Sequence, residues 1–402
     1  MDQLPILWSF RRCPYAMRAR LAIAAADLVV ELREVDLACR PPELREAWPA
    51  ATVPLLQGRD GLLIGESLEV MLWALAQRDP GRWLELPASA PLAADAVAAP
   101  LASGPADRGS AGPGSAGGGE PPPGGVGHAS DDGSEDGAAA VAHPPARAGT
   151  EGPRGAAGAK SRTPALAAPI ATLVAENDGP FKHHLDRFKY ANRFPDADPE
   201  HHRRQALAIL CRWNDLLRCN GEAPGGWLLG RRSCLADWAL LPFVRQFRLA
   251  DPQAFARAEG LDALRLWLAR FEAGPELAAV MAPPLAERQP WRSPRFLYHL
   301  ALAEEWRQAR AEGIYRRSTR GLSLEAVGFI HASHAHQIAA TFRRFYADAG
   351  PVRLLTIDPL RLAAAGIVVR EEPAAEGSGE LFPHLHGPLP CDAVLAAEPY
   401  RP

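Results

Sequence analysis

Lysine is scarce in this sequence. Of its 44 basic residues, only Lys160, Lys182 and Lys189 are lysines. Such a bias toward Arg, alongside abundant Ala, Gly and Pro, reads as a coding preference, so those residue types carry little functional information. No charge of one sign dominates either. A net charge of -3 gives no global field to draw in nucleic acid or an anionic membrane, and neither is expected as a partner. The six cysteines (Cys13, Cys39, Cys211, Cys219, Cys234 and Cys391) contain no CxxC pair and no metal-ligand spacing. Long apolar runs are missing: the most apolar window, 62–76, holds Glu66 and Glu69 and is too short to span a bilayer. The opening residues, MDQLPILWSF, lack a basic region followed by an apolar core, so no secretory leader is expected. A soluble, reduced, cytoplasmic protein is the expectation that remains.

Glycine and proline, by contrast, are in excess, with 35 and 39 of 402 residues against a usual combined share of about 12%. The surplus is concentrated. From about Ala88 to Pro169 the sequence collapses into Ala, Gly, Pro and Ser, as in GPGSAGGGEPPPGGVG. Almost no aromatic or β-branched side chain is there to offset the entropy of ordering. A disordered linker is expected over 87–165. The chain length alone implies two to three domains. With the linker set aside, three units remain, at 1–86, 166–290 and 295–402.

In the first unit, 6–10 reads as a short strand and Pro14 opens a helix, a position that suits proline. A second strand is expected at 31–36. The runs 53–56 and 62–64 flank a hairpin turn with Gly58 and Asp60-Gly61, and Glu66-Ser67 lead into an amphipathic helix. This βαβ-then-ββα order is a thioredoxin-like layout. The second unit is helical, with helices expected at 170–176, 183–190, 199–219, 235–247 and 261–271. A break at 282–294 precedes an α+β unit, with strands expected at 296–300, 329–331, 353–357 and 366–369 and helices at 303–311 and 334–346.

Three features of the first unit carry chemistry. Cys13 follows a strand and immediately precedes Pro14 at a helix start, where the helix dipole and unpaired N–H groups stabilise a thiolate, the nucleophilic form. Pro54, after Val53 and before a strand, lies where a cis proline presents a backbone edge to a peptide-like ligand. Glu66-Ser67 opens the next helix, whose N–H groups and hydroxyl suit a carboxylate. Each alone is more readily an inert core cysteine, a turn proline or an N-cap serine. Together they fall at one end of one expected sheet.

The segments SFRRCPYAMRARLA (9–22), TVPLL (52–56), ESLEVMLWAL (66–75) and LADWALLPFVRQF (235–247) resemble the glutathione S-transferase family, specifically its omega-like, cysteine-type branch, over 1–86 and 166–290. The resemblance implies that Val53 pairs through its main chain with the cysteinyl unit of glutathione, with Pro54 cis. It implies that Glu66 and Ser67 hold the γ-glutamyl end, that Cys13 forms a mixed disulfide, and that the protein is a homodimer. Thiol transfer and deglutathionylation are then favoured over conjugation, because a cysteine thiolate bonds covalently to the glutathione sulfur. Two departures stand out. Pro49-Ala50-Ala51 carries no charge where relatives place a Lys shortly before TVP. Cys234 stands where relatives place the Ser or Thr of a capping box with Asp237, and Ser233 could substitute after a one-residue shift. The lost Lys keeps open a non-catalytic scaffold that carries the C-terminal unit.

That unit holds six of the twelve histidines: His299, His331, His334, His336, His384 and His386. No metal site is expected in HASHAH (331–336), since His331 ends a strand, His334 and His336 start a helix, and no carboxylate completes a set. A polar pocket is expected instead, from His299, His331, Ser333 and His384, with the amides after Ser333 suited to an anion such as phosphate. LYHLA (297–301), GIY (313–315), GFIHAS (328–333), LLTID (354–358) and FPHLHGPL (382–389) resemble a bacterial domain family of unknown function, family 952. Its fold resembles that of ADP-ribosyltransferases, which bind NAD. On that analogy NAD is a candidate ligand, His299 touches the ribose side, and Glu371 or Glu372 is the acid. His386 stands where relatives show Tyr.

Overall fold

The computed structural model describes residues 4–58, 60–88, 164–220, 226–282, 289–373 and 379–401. The linker expected over 87–165 lies, apart from its ends, outside the described residues.

The first module runs β1 (Ile6–Ser9), α1 (Pro14–Ala25), β2 (Val30–Glu34), α2 (Pro42–Ala47), β3 (Leu55–Gln57), β4 (Leu63–Ile64) and α3 (Ser67–Gln77). β1 lies parallel to β2 and antiparallel to β3, which pairs antiparallel with β4. This is the thioredoxin-like arrangement. Strand alternation divides the side chains between two faces: Leu7 and Leu56 enter the main core, while Trp8 and Leu55 enter a smaller cluster with Val35, Leu44 and Val53. The short α2, absent from the sequence expectation, starts at a Pro-Pro pair and buries only Leu44.

The second module is all helical. It comprises α4 (Ala168–Glu176), a π-helical turn (Asn177–Phe181), α5 (Lys182–Lys189), α6 (Pro199–Cys219), α7 (Leu235–Ala250), α8 (Pro252–Arg257), α9 (Asp262–Ala273) and α10 (Pro275–Met281). Pro180 has no N–H to donate, and the helix widens around it. At α7 the cap is Cys234, not Ser233: its backbone N–H donates to Asp237 Oδ2 at 3.0 Å. Asp237 Oδ1 also accepts from Leu228 N and Trp267 Nε1, each at 3.0 Å, so the buried carboxylate is held from three sides. Trp83 of the first module stacks on Trp238 at 4.8 Å, and the two modules share one core.

The third module contains β5 (Gln289–Trp291), β6 (Leu297–Leu302), α11 (Ala303–Glu312), β7 (Ile314–Tyr315), β8 (Arg317–Thr319), β9 (Leu322–Ser323), α12 (Leu324–Val327), β10 (Ile330–His331), α13 (Ile338–Phe345), β11 (Val352–Ile357), α14 (Pro359–Ala364), β12 (Val368–Pro373), β13 (Leu381–His386), β14 (Leu389–Pro390) and β15 (Val394–Pro399). Two antiparallel sheets, β15-β11-β6 and β10-β13-β12, form its frame. β6 and β11 bury both faces: Ala301 and Leu355 point into one cluster, Tyr298 and Leu354 into another. The break expected at 282–294 holds a strand, because β5 adds antiparallel to β2 and extends the first module's sheet. The helix expected at 334–346 starts later, at Ile338, because Gln337 Oε1 turns back to accept His334 N at 2.8 Å. Among the described residues no helix is long and apolar enough to cross a membrane.

Candidate active site

Cys13 is the N-cap of α1, half-buried, and caps no backbone N–H with its side chain. Its Sγ faces the Val53 carbonyl at 4.0 Å, and the Val53-Pro54 peptide bond is cis. The nucleophile and the backbone edge thus lie side by side, although 40 residues separate them in sequence. Burial pushes the Cys13 thiol above its ordinary value; the amides of Ala16 and Tyr15, then the Arg20 and Lys182 charges, pull in the opposite direction. The helix start therefore opposes desolvation without overcoming it, whereas the sequence expectation weighed the helix start alone.

Glu66 is the N-cap of α3 and Ser67 its first residue. Ser67 is buried, and Glu66 reaches solvent. Desolvation, followed by the Glu69 and Asp178 charges, raises the Glu66 carboxyl. The Asp178 charge points to groups that the sequence reading did not single out. Arg18, wholly buried on α1, donates to both oxygens of Asp178 at 2.7 and 3.0 Å and lies 3.5 Å from Ser67 Oγ. Its Nε reaches the Ala239 carbonyl on α7 at 2.7 Å, and its guanidinium stacks over Phe243 at 4.4 Å. Asp178 sits in the π-helical turn of the second module, so Arg18 links that module to Ser67 of the first. A buried Arg on an Ala-rich helix was the available signal; its partner, 160 residues away, was not.

Other cations converge near the thiol. Arg20 is buried and donates to the Arg11 carbonyl at 2.7 Å; burial lowers it to about 10, which leaves it charged at neutral pH. Lys182, one of the three lysines, lies over the Tyr15 ring at 5.6 Å. Gln246 on α7 donates to the Arg12 carbonyl at 2.8 Å, which fixes the loop leading to Cys13.

In the third module the structure gathers some of the expected residues and separates others. His299 is buried. Its Nδ1 meets the His331 carbonyl at 2.6 Å and its Nε2 the Tyr315 hydroxyl at 3.0 Å. A carbonyl only accepts, so Nδ1 carries the proton. Burial holds this imidazole down at about 4. The ribose contact implied for His299 is therefore unavailable, since both ring nitrogens are taken inside the core. His331 bonds to Ser318 Oγ at 3.0 Å, and burial together with His384 lowers it. His384 stacks on Phe329 at 3.9 Å, and its Nδ1 pairs with Glu372 at 2.7 Å. Glu372 also meets His386 at 3.4 Å and is held below the usual carboxylate range by its His384 bond. Glu371 points elsewhere, to His334 at 3.1 Å. Of the two acids, Glu372 faces His384 and His386. The buried Nε2 of His384 has no hydrogen-bond partner among the described residues.

Ser333 does not open a helix. It bridges to Tyr298 and bonds to Thr341 at 3.3 Å, while Gln337 occupies the next amide, so the expected anion cradle is already filled from within. Of the HASHAH histidines, His331 faces Ser318, while His334 and His336 stack on each other at 5.9 Å. A cavity of about 370 Å³ opens where the three modules meet, between Trp83, Trp238, Arg270 and Arg295. It includes none of the expected site residues.

Comparison with known proteins agrees with the two resemblances. Residues 7–83 match the family model for the glutathione S-transferase N-terminal domain. Residues 300–397 match that of a protein of unknown function, DUF952. No curated protein matches the chain. Among solved structures, protein CC0527 from Caulobacter crescentus is 28% identical over 26% of this chain and 84% of its own, with a TM-score of 0.22. Glutathione transferase Omega 3C from Trametes versicolor is 14% identical over 71% of this chain and 91% of its own, with a TM-score of 0.42. A glutathione transferase family member from Pseudomonas fluorescens pf-5, solved with two glutathione bound, is 13% identical over 71% and 95%, with a TM-score of 0.43.

Proposed function

Starting from the matches of residues 7–83 to the glutathione S-transferase N-terminal domain and of residues 300–397 to a domain of unknown function, we propose that the chain is a glutathione-dependent thiol transferase with Cys13 as nucleophile. The observation that carries this reading is the half-buried Cys13 thiol at a helix N-terminus, 4.0 Å from the carbonyl of the cis Val53-Pro54 edge. Cys13, as thiolate, attacks the glutathione sulfur of a mixed disulfide. The Cys13–glutathione disulfide forms, the original S–S bond breaks, and the substrate thiolate leaves and takes a proton. A second glutathione thiolate then attacks the adduct, which releases oxidised glutathione and restores Cys13. Val53 supplies the main-chain edge for the cysteinyl unit. Glu66, Ser67 and Asp178 face the γ-glutamyl end, and Arg18 positions Ser67 and Asp178. Replacing Cys13 with Ser removes the covalent route, so Cys13→Ser is expected to abolish transfer from a glutathionylated peptide. Retention of full activity would contradict the reading.

A second reading rests on one observation, that burial raises the Cys13 thiol. A thiol kept protonated fits a glutathione-binding scaffold whose work is to hold the third module, where the Glu372–His384 pair leaves an imidazole nitrogen unbonded. The reactivity of Cys13 separates the two readings.

A further inference from the structure

Away from the thiol, three imidazoles converge on the second module: His183 and His184 on α5 and His202 in the first turn of α6. Each offers one ring nitrogen, and the three nitrogens lie within 4.8 Å of one another. Nδ1 of His184 is 2.8 Å from Nδ1 of His202. The His183 ring centroid is 5.1 Å from that of His184 and 5.5 Å from that of His202. Adjacent residues on a helix diverge by about 100°, so His183 and His184 would ordinarily face different ways. They share a focus here because α6 brings His202 against both.

The donor set selects the ligand. Three neutral imidazoles suit a late first-row divalent cation of the Zn²⁺, Ni²⁺ and Cu²⁺ class. Hard Mg²⁺ and Ca²⁺ require oxygen donors, and the nearest acidic group on the same helix, Asp186, is paired with Lys182. In tetrahedral zinc sites, Zn–N distances of about 2.0–2.1 Å put neighbouring nitrogens about 3.3 Å apart. The His184–His202 nitrogen pair, at 2.8 Å, is closer than that value, and all three nitrogens lie within 4.8 Å of one another, so the rings need to part slightly to admit an ion. Both His184 and His202 would then present an Nδ1 lone pair and carry their proton on Nε2. The same structure supplies a competitor: Arg187 Nη1 donates to His183 Nδ1 at 3.0 Å, since a guanidinium has only donors, and sets a positive charge beside the focus.

We propose that His183, His184 and His202 bind one late first-row divalent cation through three imidazoles, with a water in the fourth position and Arg187 opposing its entry. The site is independent of the thiol chemistry proposed above, and its test does not read that activity. The full chain, freed of any affinity tag and stripped with chelator, is titrated with ZnCl₂ by calorimetry. The exposed thiols Cys39 and Cys219 are replaced by Ser in the parent protein so that they do not bind the ion. One equivalent is expected. His184→Ala and His202→Ala should each weaken binding by at least about tenfold, and Arg187→Gln should tighten it, all with unchanged far-UV circular dichroism. Loaded with Co²⁺, the site should give visible d–d bands without thiolate charge-transfer absorption. A His184→Ala/His202→Ala double variant that keeps the same equivalent and affinity would overturn the proposal, as would thiolate charge transfer or the absence of binding.

Discussion

The Tyr298 hydroxyl, in the third module, donates to Asp27 Oδ1 in the first at 2.8 Å across 271 residues of sequence. Thr356 Oγ1 donates to the other oxygen at 2.7 Å. Asp27 is buried in the turn after α1, at φ +50, a left-handed position that Asp tolerates better than most residues. Arg78 and Arg292 reach it at 3.3 and 3.5 Å and also meet Glu398 of β15. With β5 added to the edge of the first sheet, this carboxylate fastens the third module to the first.

Asp27→Ala leaves two arginines and two hydroxyls facing a cavity. Loss of one partner from a buried ion pair typically costs about 3–5 kcal/mol. Thermal melting of the full chain should show a lower, broader transition, with Asp27→Asn less affected because it keeps an acceptor and the volume. A melt unchanged by Asp27→Ala would remove Asp27 from this role.

The Cys13 thiol, raised by burial, is mostly protonated at neutral pH. Its alkylation rate with iodoacetamide should therefore climb with pH and show no plateau below the ordinary thiol range. Lys182→Met removes a charge that favours the thiolate, so alkylation at a fixed pH should slow and the profile should move to higher pH. A plateau near neutrality would mean that the helix amides outweigh desolvation.

Ser67 supplies a hydroxyl at the expected γ-glutamyl end. One hydrogen bond to a charged group is worth about 1.5–3 kcal/mol. Ser67→Ala should therefore raise KM for glutathione by at least about tenfold and leave the alkylation profile of Cys13 in place. Equal KM values for the two proteins would place the γ-glutamyl group elsewhere.

His299 gives a pH prediction of its own. Its folded value, about 4, lies below the unfolded value of about 6.5, so the unfolded chain takes up the proton first. This group's contribution to stability is full above about pH 6.5 and is lost as the pH falls toward 4, about 3 kcal/mol in all. Nitrogen-15 spectra should show a neutral ring protonated at Nδ1 throughout that window. A ring that titrates near 6.5 would contradict the burial of its two hydrogen bonds.

Much of the first module was legible because its signals are local. A proline directly after Cys13, an X-Pro bond ahead of β3 and a serine at the start of α3 can each be read within a few residues. The long helices of the second module showed the apolar period of their buried faces. What escaped was non-local or short. Arg18 finds Asp178, and Asp27 finds Tyr298, only through folding, and neither pair leaves a spacing in the sequence. β7 to β9 have two or three residues each, too few for alternation to register. β5 hid in a proline-rich break because its pairing partner is β2, more than 250 residues earlier. His299 was read as a contact residue by analogy with ADP-ribosyltransferases, whereas its strand is buried on both faces. The His183–His184 and His201–His202 doublets were visible as sequence, but their convergence depended on how α6 lies against α5.

The central claim is that Cys13 bonds covalently to glutathione. The most direct measurement is peptide mass spectrometry of the full chain after incubation with oxidised glutathione. One glutathione on the Cys13 peptide, absent from Cys13→Ser and removed by excess reduced glutathione, is the predicted result. An unmodified Cys13 peptide, with glutathione found only on the exposed Cys39 and Cys219, would contradict it.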